Sequence, residues 1–192
     1  MAKLHFFYSV MNAGKSTHLL QAAHNYESKG WIVHYFTSSI DNRNKVGYIS
    51  SRVGISKEAV AISSEQDITQ LELLDTNPFA PEVIFVDEVQ FFEPEQIDQL
   101  VEIVDNWEIP VLCYGLKNNS NGELFGPAIN RLLAVADQIK EIKTICRCGS
   151  KATQILRRSN GLPIITTDVV EVGDSEYESV CRRCWHEEFI DN

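Results

Sequence analysis

An α/β fold, a parallel sheet flanked by helices with a small β-rich lobe appended at its C-terminal end, follows from three observations on this chain of 192 residues. Short apolar runs rich in β-branched and aromatic residues alternate with longer amphipathic ones from Lys3 to about Asp137. A Gly14-Lys15-Ser16 turn stands a few residues after the first apolar run. Beyond about Ile142 the text changes to paired cysteines, glycines and β-rich segments. Strand, helix and strand in repetition place helices over a sheet. Strands covered on both faces read as nearly continuous apolar runs rather than alternating ones.

The elements follow in order. Leu4–Tyr8, Trp31–Thr37, Val83–Val86 and Val111–Tyr114 have the length and composition of buried strands. Amphipathic segments predict helices over Lys15–Ser28, Ile68–Leu74, Pro94–Asn106 and Phe125–Ala136. Pro94 suits a first helical turn, where its missing N–H costs nothing. Residues 41–66 fit neither period well and carry Asn42, Arg43, Asn44, Gly47 and Gly54, so a long, partly mobile loop holding a short strand or turn is expected there. In the last segment, Val169–Val172 reads as a strand.

Composition narrows the function. With 44% hydrophobic and 23% charged residues the chain has enough apolar mass for a core. A net charge of −10 without a dense basic run argues against long nucleic acid and anionic membrane as partners, since both reward clustered Lys and Arg. No apolar stretch approaches the ~18 residues of a membrane span. Met1 to Phe7 runs directly into a strand without a cleavage pattern, so a cytoplasmic location is expected.

Ser9-Val10-Met11-Asn12-Ala13-Gly14-Lys15-Ser16-Thr17 matches the phosphate-binding loop G-x-x-x-x-G-K-[ST], with Ser9 in place of the first glycine. Successive backbone N–H groups form an anion nest there, and the following helix points its positive end at the phosphates. Lys15 then reaches the outer phosphates and the Ser16 hydroxyl can ligate Mg²⁺. The second half of such a site is Asp87-Glu88, two acids at the carboxyl end of Val83–Val86, where ligands gather in parallel sheets. Asp87 is placed to hold Mg²⁺. Strand alternation sends Glu88 to the other side, free to accept a proton from an acceptor hydroxyl. Asp87-Glu88-Val89-Gln90 also resembles the D-E-x-Q box of helicases, but such motors need a second domain and a basic track.

Cys146-Arg147-Cys148 and Cys181-Arg182-Arg183-Cys184 are two close pairs whose union makes a four-thiolate Zn²⁺ site with no open position, hence a structural one. Arg147, Arg182 and Arg183 would partly offset its negative charge. The remaining Cys113 lies in an apolar run and reads as core packing.

In this order the pieces resemble the type II thymidine kinases, phosphate-loop kinases with a small zinc lobe. The resemblance covers about Leu4 to Trp185 and rests on residues 11–17, Asp41-x-Arg43, Ser51-Arg52, Asp87-Glu88-x-Gln90-Phe91, Tyr114-Gly115-Leu116 and Gly173…Tyr177 leading into Ser179-Val180-Cys181. It implies a kinase domain over 1–141 and a zinc lobe over 142–192 whose loop, about 162–177, closes over the nucleoside. It implies Glu88 as general base with Arg43 offsetting charge on the transferring phosphate. ATP and Mg²⁺ would be held by Ser9, Val10, Met11, Asn12, Ala13, Gly14, Lys15, Ser16, Asp41, Asp87 and Gln90. The nucleoside would lie against Met11, Phe91, Leu116, Phe125, Val172 and Tyr177; on their own, Phe91, Phe125 and Tyr177 read as core. A homotetramer is implied as well. Departures stand at Asn119-Ser120, where the family has Asp-Phe, and at Val172-Gly173, where it has two glycines; the first implies a wider base pocket. Cys184 stands where some bacterial relatives use His. A nucleotide-binding protein without kinase activity is the alternative reading.

Overall fold

The computed structural model describes residues 1–41, 45–75, 78–165 and 176–190. Strand β1 (Leu4–Ser9) enters helix α1 (Lys15–Glu27) through the glycine-lysine-serine turn, and β2 (Val33–Ser38) follows. A hairpin, β3 (Tyr48–Ser50) and β4 (Ser56–Glu58), precedes β5 (Val60–Ile62). Then come β6 (Val83–Val86), α2 (Pro94–Trp107), β7 (Val111–Leu116), α3 (Pro127–Val135) and β8 (Gln138–Glu141). The chain ends in β9 (Gln154–Ser159), β10 (Leu162–Pro163), β11 (Glu176–Val180) and α4 (Arg182–Ile190).

Six of the described strands form one sheet in the order β5-β2-β6-β7-β1-β8, each pair parallel. β6 and β7 are buried at every residue, which is why they read as uninterrupted apolar runs. α1 lays Leu19, Leu20 and Ala23 on one face of the sheet. α2 and α3 cover the other with Ile97, Leu100, Ile103, Val104, Ile129 and Leu132, at the three- and four-residue spacing of a helical stripe. Pro94 occupies the first turn of α2 behind a reciprocal cap between Glu93 and Gln96.

Two expectations change, and one further strand appears. Ile68–Leu74 is not one helix: two 3₁₀ turns, Ile68–Gln70 and Glu72–Leu74, are separated by Leu71 in extended geometry. That break lets Ile68 and Leu74 both bury, which a single short helix of this length does not favour. Residues 41–66 hold more structure than a loop, because β5 adds an edge to the sheet and β3–β4 a hairpin. β8 closes the other edge. Its Gln-Ile-Lys-Glu text has little apolar signal because edge strands carry polar side chains.

A three-stranded antiparallel sheet, β10-β9-β11, and α4 form the C-terminal part. The strand expected at Val169–Val172 and the closing loop's residues 166–175 lie outside the described residues. No helix among the described residues is long and apolar enough to cross a membrane.

Candidate active site

The sheet's topology brings the carboxyl ends of β1 and β6 to one cleft. The chain leaves β1 through two left-handed residues, Asn12 (φ 59°) and Gly14 (φ 83°), and enters α1 directly. Ser9 is not among the residues with positive φ, so the missing first glycine imposes no backbone penalty here. Ser9 itself is buried and bonds its neighbour's carbonyl at Val10. Lys15 is buried too, its Nζ donating to the Val10 carbonyl at 3.3 Å, so the ammonium folds back over the loop it serves.

The two halves of the site meet at one contact. Ser16 Oγ donates to Asp87 Oδ2 at 2.8 Å, across 71 residues of sequence. Asp87 is 3% exposed, and burial pushes its carboxyl up to about 7, with the charge of Glu88 adding to the effect. The Ser16 hydroxyl and Lys15 act in the opposite sense. Two hard oxygen donors beside a second carboxylate, short of positive charge, fit Mg²⁺.

Strand alternation does not set the direction of Glu88. β6 ends at Val86, and Glu88 takes a left-handed conformation (φ 52°), turning the chain so that both acids line the same cleft. Glu88 Oε2 accepts from Gln90 Nε2, and the Glu88 N–H donates to Asp87 Oδ1 at 3.0 Å.

The cleft encloses about 440 Å³ and is lined by Met11, Asn12, Gly14, Lys15, Ser16 and Thr17 from the phosphate loop, and by Asp41, Asp87, Glu88 and Leu116. Its outer wall, Tyr48 to Val53, comes from the β3–β4 hairpin. Of that wall only Ser51-Arg52 stood out in the sequence, without a role; three-residue strands leave too little period to read. Ser9, Val10, Ala13 and Gln90 do not line the cleft. Arg43 lies outside the described residues, as does Val172.

The described residues among those expected around the nucleoside lie beside this cleft or along its wall. Phe91 and Phe125 meet edge to face, with centroids 5.5 Å apart. Met11, Phe125 and Tyr177 pack on a cluster formed by Val10, Leu116, Ile155, Leu156 and Val180, and that cluster includes Cys146, Cys181 and Cys184. The Ser179 hydroxyl donates to the Met11 carbonyl, tying β11 to the phosphate loop. Asn119 and Ser120 are buried but do not line the cleft. Asn119 Oδ1 accepts from the N–H groups of Asn121 and Glu123, and the Ser120 carbonyl accepts from Trp185 Nε1 at 3.3 Å.

The four cysteine sulfurs lie within 4.8 Å of one another. Cys146 and Cys148 sit in a tight turn at Gly149 (φ 85°), closed by the Ile145–Lys151 bridge; Cys181 and Cys184 frame the start of α4. Cys148 and Cys181 Sγ are 3.7 Å apart, near the roughly 3.8 Å that tetrahedral zinc with ~2.3 Å bonds requires. Hydrogen bonds from Ser150 pull the Cys148 thiol down to about 6, whereas the neighbouring Cys181 sulfur pushes Cys184 up to about 12. Such a thiol cluster shares protons that a dication displaces. Two of the three arginines are engaged by carboxylates: Arg147 by Glu178 and Glu188, and Arg183 by Glu187. They therefore offer less countercharge to the thiolates than the sequence suggested.

Comparison with known proteins agrees with this geometry. The family model described as "Thymidine kinase" matches residues 2–185. The chain is 46% identical over 191 residues to the thymidine kinase of Ruegeria pomeroyi, covering 97% of this chain and 95% of that one. It is 44% identical over 189 residues to that of Yersinia pseudotuberculosis, covering 97% and 96%. Against that of Streptococcus gordonii it is 41% identical over 194 residues, with both chains fully covered.

Proposed function

Since the chain belongs to the thymidine kinase family, we propose that it moves the γ-phosphate of ATP to the 5′-hydroxyl of thymidine, with deoxyuridine or a 5-substituted deoxyuridine as further acceptors. The observation that carries this reading is the Ser16–Asp87 contact, which joins a phosphate loop to an acidic pair inside one cleft.

Phosphoryl transfer leaves the protein little covalent work, so alignment and charge suffice. The loop N–H groups from Met11 to Ser16 and the Lys15 ammonium bind the phosphates. Ser16 and Asp87 would hold Mg²⁺, which supplies charge neutralisation between the outer phosphates. Asp41 and Arg43 extend the phosphate contacts, Arg43 as the cation beside the transferring group. Glu88 takes the proton of the 5′-hydroxyl as that oxygen attacks. Met11, Phe91, Leu116, Phe125, Val172 and Tyr177 hold the nucleoside, and the apolar contacts among the described members of this set support that assignment.

The same proposal divides the chain into a kinase domain over 1–141 and a lobe over 142–192. Cys146, Cys148, Cys181 and Cys184 hold a structural Zn²⁺, a reading supported by their sulfur spacing. It also includes homotetramer assembly and a cytoplasmic location.

The test is phosphate transfer from ATP–Mg²⁺ across a panel of ribo- and deoxynucleosides, with the product position read by mass spectrometry. A 5′-monophosphate of thymidine or deoxyuridine is expected, with no stimulation of ATP hydrolysis by single-stranded DNA. Tight ATP binding with no acceptor in the panel would sink the kinase reading.

A further inference from the structure

Gln90 is 4% exposed, does not line the cleft, and has both ends of its amide committed. Its Oε1 accepts from the backbone N–H of Leu116 at 3.0 Å, and its Nε2 donates to Glu88 Oε2. A backbone N–H can only donate, so Leu116 fixes the amide's orientation and its NH₂ must face the carboxylate. The packing around it is equally specific. A Cβ at Gly115 would stand 2.7 Å from Gln90 Oε1 and 2.8 Å from Val89 Cγ1. β7 therefore carries glycine where the Gln90 amide presses on its backbone. Glu88, meanwhile, occupies a left-handed conformation that its own side chain does nothing to favour.

We propose that Gln90 is a positioning residue for Glu88: it ties the carboxylate to the backbone of β7 and keeps it turned into the cleft, while itself touching neither nucleotide nor nucleoside. The proposal rests on the reading of Glu88 as the base. Without the amide tie, the carboxylate loses a hydrogen bond that fixes its direction, and a smaller fraction of molecules are aligned for attack. The loss then appears in kcat and leaves KM in place.

A double-mutant cycle tests this. Gln90→Met keeps the volume and removes both hydrogen bonds, whereas Gln90→Glu keeps the acceptor for Leu116 and sets an acid against Glu88. Both are expected to lower kcat about 10- to 100-fold with KM for ATP and thymidine within about twofold of wild type. In a Glu88→Gln background, Gln90→Met should cost less than about twofold. Gly115→Ala, which drives a methyl into the amide, should lower kcat in the same direction. A rise in KM for ATP that accounts for the loss would make Gln90 a nucleotide ligand and overturn the proposal. So would an equal cost in the Glu88→Gln background, which marks a purely structural role. If Glu88→Gln alone is silent, the base assignment fails separately. A crystal structure of Gln90→Met then decides: a displaced Glu88 side chain supports positioning, and an unmoved one refutes it.

Discussion

The central sheet and the cysteine lobe stand side by side and draw on different sources of order. In the sheet, Phe6, Phe36, Ile84, Phe85 and Val86 are wholly buried between helical layers, and the acidic pair Asp87-Glu88 follows directly on the end of β6. The lobe has three short strands, one nine-residue helix, and a core in which Cys146, Cys181 and Cys184 are themselves members. A layer of that size cannot bury enough apolar surface to stand alone, so it depends on what it borrows from the sheet and, under the proposed function, on the Zn²⁺ that its four cysteines would hold. The borrowing is specific: Val10 and Leu116, which flank the phosphate site, complete the lobe's core. Under the proposed function, phosphate binding falls to the sheet and part of nucleoside binding, through Tyr177, to the lobe.

The largest expected break in this comparison comes from zinc removal. Structural zinc contributes on the order of 10 kcal/mol in small domains. A strong chelator, or Cys184→Ala, should therefore strip hydrogen-exchange protection from β9 and β11 while β6 and β7 keep theirs. Simultaneous loss in both regions would mean that the two are one cooperative unit. Next in size is Phe85→Ala, which empties a site between Tyr26, Tyr35 and Tyr114. It should cost about 3–5 kcal/mol of global stability in denaturant titration, with the zinc content unchanged.

A smaller effect concerns the site itself. The Asp87 carboxyl is raised to about 7 by burial and by Glu88, so the unfolded chain loses this proton first, near pH 4. Between about pH 4 and 7 the folded state holds more protons, and stability falls as pH rises through that window. Asp87→Asn should flatten this slope and raise stability at pH 8, on the order of 2–4 kcal/mol, while activity is lost. An unchanged melting profile would show that Asp87 is well compensated without metal. The smallest effect is at the seam: Trp185→Phe removes donations to the Ser120 and Ile155 carbonyls and should cost about 1 kcal/mol, read in the lobe's exchange before the sheet's.

The two regions were also unequally legible in sequence. Gly14-Lys15-Ser16, the acids after Val83–Val86 and the cysteine spacings announce their chemistry because each needs fixed residue types at fixed separations. β5, β8 and the hairpin wall do not, since three- and four-residue strands at edges carry no period. The left-handed turn at Glu88 left no trace either, because a non-glycine in that conformation is set by tertiary packing. The tie from Gln90 to Leu116 spans 26 residues and has no local signature.

That the acidic pair at the end of β6 performs phosphoryl transfer is tested by single-turnover transfer from ATP to thymidine by wild type and Glu88→Gln. ATP–Mg²⁺ affinity should stay within about twofold, and the transfer rate should fall about 10²- to 10⁴-fold. Transfer at the wild-type rate in the variant would contradict that role for the pair.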